Sequence, residues 1–426
     1  MKIHVVRPGD TLYDLALEYD VPMSQLIHDN QLPDPSRLVV GQTLVVQFPR
    51  ETHTVRPGDT LSALASRYGT TVRQLLRNNP QLQGEGRLTP GQTLVISFRQ
   101  EKEGTLSVNG YAYPEIDRKL LSTTLPYLSD LTPFTYGFTP QGTLLPLQDR
   151  FLVDSALAMG VRPLLHLSTL TQDGTFSDAL AHTALTDQAV QSRLITQVAE
   201  TVRRLGYRGV DVDFEFVYPA DARLYAQFVS SLRQALAPMG VPVIVALVPK
   251  TFADQPGRLY QGHDYRLLAQ AADYVFLMTY EWGYTYGPPM AVAPLRNVRQ
   301  VVDYALTEMA PEKVYLGIPN YGYDWTLPFR QGDRARSISN QEAVELAAKH
   351  DAAIRFDQAA QSPWFRYVDG EGREHEVWFE DARSIRSKLE LAREKGLRGV
   401  GYWNLMRPFP QNWAVLNALY RIREEL

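Results

Sequence analysis

Several features are missing from the 426-residue sequence. It contains no cysteine, which excludes disulfide bonds and thiolate chemistry. It has no apolar run long enough to cross a bilayer, and its start, "MKIHVVRPGDTL", lacks the apolar segment of a signal peptide. Its eight histidines are scattered without an HExxH spacing, and neither GxxxxGK[ST] nor GxGxxG occurs. We therefore expect no metal, no cofactor, no nucleotide site and no membrane insertion.

The charge of the chain is nearly balanced, with a formal net value of -4. This balance predicts no general attraction to nucleic acid or to an anionic membrane surface. Hydrophobic residues make up 44% and charged residues 21% of the chain, which is typical of a globular protein with a sizeable core. The length predicts two or three domains, and in the absence of an obvious assembly segment we expect a monomer.

The first hundred residues contain an internal repeat. One copy, "HVVRPGDTLYDLALEYDVPMSQLIHDNQL", begins at His4, and the other, "HTVRPGDTLSALASRYGTTVRQLLRNNPQL", begins at His53. Both copies close with a Gly-Gln-Thr-Leu-Val segment. The pattern predicts a strand, a Pro-Gly turn, two helices and a second strand, with an Asp-Thr pair capping the first helix. Each copy is thus predicted to be a small βααβ domain, at residues 2–48 and 52–98.

Both copies resemble LysM domains, which bind glycans that contain N-acetylglucosamine, such as peptidoglycan and chitin. In that family the sugar lies between the loop after the first strand and the loop after the second helix. The resemblance therefore implies sugar contacts by Gly9, Asp10, Thr11 and Asn30 in the first copy, and by Gly58, Asp59, Thr60 and Asn79 in the second. The alternative is that the Gly-Asp-Thr segment serves only as a turn and helix cap.

Beyond a polar linker at residues 99–105, strand and helix patterns alternate through residues 106–426. Eight hydrophobic segments are candidate strands, and helical patterns lie between them. These segments are Leu106–Tyr111, Phe134–Phe138, Arg162–Leu167, Val210–Phe216, Val243–Val248, Tyr274–Tyr280, Val314–Ile318 and Gly399–Trp403. Eight alternating units predict the α/β class and a (β/α)8 TIM barrel.

The interval between the last two candidate strands is too long for a single helix. It runs from Pro319 to Arg398 and contains "RYVDGEGREHEVWF", which is typical of a β-hairpin with an Asp-Gly turn. We therefore predict an α+β insertion between strands 7 and 8 of the barrel, at about residues 324–380.

The fourth candidate strand, "GVDVDFEFV" at residues 209–217, carries a carboxylate at every second position. Alternate residues of a strand share a face, so the acids lie on one face, each ~7 Å from the next. In a barrel the acids are expected to line the interior, while the apolar residues meet the helices. The acids are Asp211, Asp213 and Glu215, and the apolar residues are Val210, Val212, Phe214 and Phe216. The alternative is an exposed edge strand with one polar face.

Crowding of like charges raises the pKa of at least one of these three carboxyl groups. A raised pKa keeps an acid protonated near neutral pH, as the general acid of glycosidic bond cleavage requires. Glu215 lies nearest the carboxyl end of the strand, where barrel enzymes place their chemistry.

The stretch "RGVDVDFE" resembles the DGxDxDxE signature of glycoside hydrolase family 18, and the resemblance covers most of residues 105–426. It implies that Glu215 is the general acid/base, that Asp213 orients the N-acetyl group of the substrate, and that Asp211 supports Asp213 from deeper in the barrel. The N-acetyl oxygen is then the nucleophile, which is the substrate-assisted route to retention. Two positions depart from the signature, since Arg208 replaces its first Asp and Phe214 replaces its usual Trp.

Further segments at strand ends match the same family. In "MTYEWGYTYGPP", Tyr280 matches the tyrosine that hydrogen-bonds the N-acetyl oxygen, and Glu281 stands where aspartate is more usual. In "GYWNL", Trp403 matches the tryptophan beneath the sugar ring, and stacking suits the apolar face of a pyranose. Trp282, and Tyr321 in "GIPNYGYDW", are further candidate sugar contacts. Core packing is the alternative for each of these aromatic residues.

Two LysM-like copies followed by this barrel are similar in arrangement to the spore cortex-lytic N-acetylglucosaminidases of endospore-forming bacteria. The resemblance implies that the substrate is cortex peptidoglycan or its fragments, and that the protein is deposited on the spore coat or cortex without a signal peptide. A chitinase or other endo-N-acetylglucosaminidase is one alternative, and a non-catalytic glycan-binding coat protein is another. The presence of all three acids favours an enzyme over a protein that only binds.

Overall fold

In the computed structural model, which describes residues 1–32, 34–84 and 86–426, each N-terminal repeat forms a βααβ module. The first module consists of β1 (Lys2–Val5), α1 (Leu12–Tyr19), α2 (Met23–Asn30) and β2 (Thr43–Val46). The second consists of β3 (Pro49–Thr54), α3 (Leu61–Tyr68), α4 (Val72–Asn78) and β4 (Thr93–Phe98). In both, the strands pair antiparallel and share a small apolar core with the helices. The predicted βααβ arrangement is confirmed.

The first helix of each module begins at a threonine cap. Oγ1 of Thr11 accepts a hydrogen bond from the backbone N–H three residues further on, and Thr60 does the same in the second module. The aspartate before each threonine, which the sequence predicts to share the cap, has other partners. Asp10 accepts hydrogen bonds from the N–H of its own turn and from Nε2 of His4, 2.8 Å away, and Asp59 repeats this arrangement.

The chain from Gly104 onward forms a closed parallel β-barrel with helices around it. The first seven barrel strands are β5 (Gly104–Ala112), β6 (Asp130–Pro133), β7 (Arg162–Ser168), β8 (Gly209–Asp213), β9 (Val243–Leu247), β10 (Tyr274–Leu277) and β11 (Val314–Pro319). The helices among them are α5 (Arg118–Thr124), α6 (Arg150–Ala158), α7 (Asp178–Thr186), α8 (Gln188–Leu205), α9 (Ala222–Leu236), α10 (Tyr265–Ala271) and α11 (Leu295–Glu308).

An insertion follows the seventh barrel strand. It contains β12 (Gly322–Thr326), β13 (Arg336–Ile338), α12 (Asn340–Lys349), β14 (Arg355–Asp357), β15 (Ser362–Val368) and β16 (Glu374–Trp378). Its strands form an antiparallel five-stranded sheet, in which β15 and β16 make the hairpin predicted around the Asp-Gly turn. The remaining elements are α13 (Ala382–Glu394), the eighth barrel strand β17 (Gly399–Trp403), α14 (Pro410–Leu419) and β18 (Tyr420–Ile422).

The barrel closes where β17 pairs with β5, with Gly399 opposite Ser107. All eight barrel strands run parallel, so their carboxyl ends meet at one end of the barrel. One apolar core lies between the strands and the helices, and a second, aromatic-rich cluster fills the barrel interior. The predicted α/β class and (β/α)8 barrel are therefore confirmed.

The second barrel strand lies earlier than the sequence predicts, at Asp130–Pro133 rather than Phe134–Phe138. Its first residue, Asp130, is fully buried and accepts a 2.7 Å hydrogen bond from Nε of Arg162 on β7. A buried acid is tolerated when it is paired in this way. The partner lies 32 residues away in the chain, so the local pattern gives no sign of it.

Two other barrel strands end before the apolar pattern does. β8 ends at Asp213 rather than Phe216, and β10 ends at Leu277. Beyond β8 the alternation also breaks, because Phe216 is half-buried and lies beneath the guanidinium group of Arg258. Val217 enters the core between strands and helices instead. The prediction that Phe216 meets the helices is therefore wrong.

The first N-terminal module packs against the insertion, and the second packs against the barrel. In the first, Val39 enters the core of the insertion, and the carbonyl of Val40 accepts a 2.9 Å hydrogen bond from the N–H of Ile354. In the second, the buried guanidinium groups of Arg73 and Arg77 donate to backbone carbonyls that lie just before β6 and β7. Specific contacts thus hold the modules on the rest of the chain.

The longest helix, α8, is amphipathic. The 18 residues of α8 bury only the stripe that faces the barrel, including Leu194 and Val198. In the part of the chain that the structure describes, no helix has the length and hydropathy needed to cross a membrane.

Candidate active site

The carboxyl end of β8 directs the predicted acids into the barrel. Asp211 is fully buried, Asp213 keeps 14% of its side-chain surface exposed, and Glu215 lies just past the strand. Oδ2 of Asp211 accepts a 2.7 Å hydrogen bond from the hydroxyl group of Tyr111 on β5. Oδ2 of Asp213 lies 3.6 Å from Nε2 of His166 on β7. The three acids therefore meet at the end of the barrel where the strands terminate.

One oxygen of each aspartate has capacity for a further partner. Oδ1 of Asp211 and Oδ1 of Asp213 are buried and have no hydrogen-bond partner among the described residues. Buried carboxylate oxygens in folded proteins are normally hydrogen-bonded. These two oxygens therefore lack the hydrogen-bond partner that a buried carboxylate oxygen normally has.

Two of the acids hold a proton more tightly than usual. Burial, followed by the charges of Asp213 and Glu281, raises the pKa of Glu215 to about 7. Burial also raises the pKa of Asp211 to about 6, although His166 opposes the rise. Glu215 is therefore partly protonated near neutral pH and can donate a proton there.

Glu215 opens on a cavity of about 140 Å³ next to the end of β10. The wall of this cavity also includes Tyr280, Glu281 and Trp282, which follow β10. Burial and the nearby carboxylates keep the pKa of Tyr280 well above 10, so its hydroxyl group remains a hydrogen-bond donor. The structure thus brings three of the predicted site residues into one cavity with the predicted acid.

The side chain of Glu281 is held by hydrogen bonds from two tyrosines. Its φ of 66° is uncommon for a residue other than glycine. Its Oε1 accepts hydrogen bonds from the hydroxyl group of Tyr321 and, at 3.1 Å, from that of Tyr323. Tyr321 is buried and supports Glu281 from outside the cavity lining, and its predicted sugar contact stays a prediction.

Trp403, at the end of β17, is half-buried among aromatic side chains. The ring centroids of Phe134, Tyr111 and Tyr113 lie 4.8, 5.7 and 6.1 Å from that of Trp403. This packing holds the indole in place while part of it stays accessible, as a platform for a sugar ring requires.

Two residues that contact the acids are not identified by sequence motifs. His166 lies in the apolar segment "PLLHLS" of β7, opposite Asp211 in the strand register, and its Nδ1 is 2.6 Å from Oγ1 of Thr135. A lone histidine inside an apolar strand needs a polar partner when buried, and this is the signal that marks it. Tyr111 gives no comparable signal, because an aromatic residue is ordinary in a strand.

The residues predicted to bind sugar in the N-terminal modules fall into two groups. Those at the surface, in the turn before the first helix, are Gly9, Asp10, Thr11, Gly58, Asp59 and Thr60. Asn30 is buried, and its amide group bonds the backbone of Leu26 and Val45, with Asn79 making the equivalent contacts. The structure therefore gives both asparagines a structural role, and their predicted sugar contacts stay predictions.

Comparison with known families assigns both halves of the chain. The profile described as "Glycosyl hydrolases family 18" matches residues 164–407. The profile described as "LysM domain" matches residues 4–47 and 53–97.

Several known proteins are similar to this chain. The "Cortical fragment-lytic enzyme" of Bacillus subtilis (strain 168) is 42% identical, over 99% of both chains, and that of Bacillus anthracis is 37% identical, over 100% of both. The crystal structure of the Bacillus megaterium QM B1551 spore cortex-lytic enzyme SleL has a TM-score of 0.84 at 36% identity, covering 100% of this chain and 99% of the other. A chitinase from Chromobacterium violaceum has a TM-score of 0.68 at 27% identity, covering 73% of this chain and 97% of its own. The chain belongs to glycosyl hydrolase family 18, with two LysM domains ahead of its barrel.

Proposed function

We propose that this glycoside hydrolase cleaves glycosidic bonds of N-acetylglucosamine in the cortex peptidoglycan of bacterial spores, or in its fragments. The observation that carries the proposal is Glu215, an acid at the barrel's carboxyl end that opens on a cavity and has a pKa raised by burial to about 7. The substrate is inferred from relatives named for lysis of the spore cortex and its fragments, which match this chain over its full length.

In the proposed mechanism, Glu215 donates its proton to the glycosidic oxygen that leaves with the rest of the glycan. The acetamido oxygen of N-acetylglucosamine attacks the anomeric carbon at the same time, so the substrate must carry a 2-acetamido group. Glu215 then takes a proton from the water molecule that hydrolyses this cyclic intermediate. Two displacements at one carbon leave its configuration retained.

Asp213 is proposed to orient the acetamido group. Its side chain keeps 14% of its surface exposed, and its carboxylate is proposed to accept a hydrogen bond from the acetamido N–H. Asp211, held by the hydroxyl group of Tyr111, carries a second negative charge beneath Asp213. Tyr280 is proposed to donate its hydroxyl hydrogen to the acetamido oxygen, which its raised pKa allows.

Other residues are proposed to bind the sugar itself. Trp403 provides a platform for the apolar face of the ring, and its aromatic neighbours keep it there. Glu281 and Trp282 line the cavity beside Glu215 and are candidates for contacts with sugar hydroxyl groups. Because Oε1 of Glu281 is taken by two tyrosines, its other oxygen is the one proposed to face the substrate.

The two LysM domains are proposed to hold the enzyme on the glycan through the surface turns before α1 and α3. Two weak sites on one chain increase the effective concentration of enzyme at the wall. We further propose that the protein acts at the spore coat or cortex as a monomer and has no nucleic acid partner. The names of its relatives support the location, and the net charge of -4 supports the absence of a nucleic acid partner.

A chitinase activity is the second candidate, because the Chromobacterium violaceum chitinase shares the barrel at 27% identity. Both substrates contain N-acetylglucosamine, but the alternate sugar of peptidoglycan is N-acetylmuramic acid. A coat protein that only binds glycan is less favoured, since both aspartates lie on β8 and the charge of Asp213 acts on Glu215 just beyond it.

The test is digestion of soluble cortex fragments and of chitin oligosaccharides, followed by chemical reduction of the new ends and mass spectrometry. The proposal predicts cortex products that end in reduced N-acetylglucosamine, with slower cleavage of the chitin oligosaccharides. Products that end in reduced N-acetylmuramic acid, or faster cleavage of chitin, contradict it. Glu215→Gln is the matched negative control, since glutamine keeps the shape of the side chain but lacks the transferable proton.

A further inference from the structure

The barrel sheet does not hold the backbone of Glu215. β8 ends two residues earlier, at Asp213. Within the described ranges of the chain, no hydrogen bond joins the main chain of residues 214–216 to another main-chain group. Acid catalysis depends on where the carboxyl group is held, so a different contact must fix this segment.

His263, in the loop between β9 and α10, makes that contact. Its Nε2 lies 3.1 Å from the carbonyl oxygen of Phe214 and 3.1 Å from that of Glu215. A carbonyl oxygen only accepts hydrogen bonds, so Nε2 carries the hydrogen and donates to both. From the other side, the hydroxyl group of Tyr225 accepts a 3.3 Å hydrogen bond from the N–H of Phe214.

His263 is itself fixed by its surroundings. It is fully buried, and its ring packs edge-on against Tyr225 at a centroid distance of 5.8 Å. Its own carbonyl accepts a 2.9 Å hydrogen bond from the buried ammonium group of Lys250. The preceding residue, Gly262, lies so close to Val217 that an added Cβ would stand 2.2 Å from its carbonyl oxygen. The loop that carries His263 therefore packs tightly against the segment that carries Glu215.

The chemical state of the imidazole suits a constant support. Burial lowers the pKa of His263 to about 4, so the ring is neutral throughout the range in which Glu215 titrates. Nδ1 is buried and has no hydrogen-bond partner in the described part of the chain, which leaves Nε2 as the position of the single hydrogen.

We propose that His263 is a positioning residue: by holding the carbonyls of Phe214 and Glu215, it sets where the Glu215 carboxyl group lies relative to Asp213 and the leaving oxygen. The inference rests on the proposed function of Glu215 as the general acid. His263 lies 48 residues after Glu215 and outside the acidic motif.

The test compares His263→Leu, which removes the donor, with His263→Gln, whose amide N–H reaches the Nε2 position. On soluble cortex fragments, kcat of the leucine variant is expected to fall about 10- to 100-fold with KM within about twofold, since misplacing a catalytic group by 1 Å has effects of this size. The basic limb of its kcat–pH profile, where Glu215 loses its proton, is expected to move. The Glu215 carboxyl group then lies at a different distance from the charges of Asp213 and Glu281, which raise its pKa. The glutamine variant is expected to keep most of the wild-type kcat and the wild-type position of the basic limb.

A matched control separates positioning from general loss of stability. His375, in the insertion, is also buried and bonds Asp324 through Nδ1 at 2.8 Å and Asp369 through Nε2 at 3.2 Å. His375→Leu is expected to lower Tm while leaving kcat and the pH profile of the folded fraction unchanged. The proposal is overturned when His263→Leu keeps wild-type kcat and pH profile, or when His263→Gln is as impaired as His263→Leu.

Two further comparisons keep the result decisive. When His263→Leu does not fold, His263→Gln is compared with His263→Asn, whose shorter amide does not reach the two carbonyls, and equal kcat of these variants overturns the proposal. Glu215→Gln is assayed in parallel. An inactive Glu215→Gln beside a fully active His263→Leu rejects only the role of His263, whereas an active Glu215→Gln rejects the proposed function as well.

Discussion

Tyr111 and Asp211 form a buried hydrogen bond of 2.7 Å between the first and fourth strands of the barrel. This bond ties β5 to β8 at the level just below Asp213. The donor stabilises the ionised form of Asp211, whose pKa burial raises to about 6. The pair therefore contributes to the stability of the barrel and to the charge beneath the site.

Tyr111→Phe is expected to lower the free energy of unfolding by about 1–3 kcal/mol at pH 8, where Asp211 is ionised and loses a buried donor. At pH 5 the loss is expected to be smaller, because Asp211 is then largely protonated. Urea denaturation at the two pH values measures the difference. Tyr420→Phe, which removes a 3.3 Å hydrogen bond to the neutral carbonyl of Leu389, is the control and should show no such pH dependence. An equal loss at both pH values for Tyr111→Phe contradicts the ionised pairing.

Asp213→Asn is expected to lower kcat on cortex fragments by about 100-fold or more, since the acetamido group loses a charged acceptor. The charge of Asp213 also raises the pKa of Glu215, so its removal lowers that pKa. The basic limb of the kcat–pH profile, where Glu215 loses its proton, is therefore expected to move to lower pH. Asp154→Asn, an exposed acid on α6, is the control and should leave the profile unchanged. A basic limb that stays in place in Asp213→Asn argues against the coupling.

Features with local signals could be predicted from the sequence. A short stretch of sequence is enough to recognise each of three such features: the repeat in the first hundred residues, the alternation of acids in β8 and the turn in the β15–β16 hairpin. The eighth barrel strand has the predicted bounds, Gly399–Trp403, for the same reason. These patterns reflect which face of an element is buried, and neighbouring residues decide that.

Features that depend on distant partners could not be predicted in this way. Asp130 begins a buried strand because Arg162 pairs with it, and Asn30 is withdrawn from the surface because it bonds the backbone of β2. The contact of His263 with Glu215 joins residues 48 positions apart, so only the folded chain shows it. The packing of the LysM domains on the barrel belongs to the same class.

The buried carboxyl group of Asp29 is expected to make the stability of the protein depend on pH. It is buried where the first LysM domain meets the barrel, and burial raises its pKa to about 7 against hydrogen bonds from Gln25 and Gln47. The pKa of Asp29 in the folded state lies above the unfolded value of 3.8. Its contribution to the free energy of unfolding is therefore fully present below pH 3.8 and is lost as the pH rises through 7. Asp29→Asn, which stays uncharged, should therefore stabilise the protein at pH 8 by roughly 1–4 kcal/mol and change it little near pH 4.

Thermal unfolding at pH 4 and pH 8 checks this expectation. Glu18→Gln, an exposed acid in the same domain, is the control and should shift Tm by a similar small amount at both pH values. A shift for Asp29→Asn that does not depend on pH contradicts the assignment of a proton to this carboxyl group.

The equivalent glycines of the two LysM domains provide a matched test of how the first domain docks. Gly41 and Gly91 have nearly equal φ values of +86° and +87°, so an alanine is strained to the same extent at either position. A Cβ on Gly41 would lie 1.8 Å from the carbonyl oxygen of Ile354 in the insertion, whereas a Cβ on Gly91 meets no atom within 4 Å. Gly91→Ala is expected to destabilise by about 1 kcal/mol, and Gly41→Ala by clearly more. Equal Tm losses argue against the docked arrangement.

The most direct measurement is turnover of soluble cortex fragments by Glu215→Gln, with affinity for the same fragments measured by calorimetry. Glutamine preserves the shape of the side chain but has no proton to transfer, so kcat should fall by about 10²- to 10⁴-fold while Kd stays within a few-fold of the wild-type value. Turnover at the wild-type rate would contradict the assignment of Glu215 as the acid that protonates the leaving oxygen.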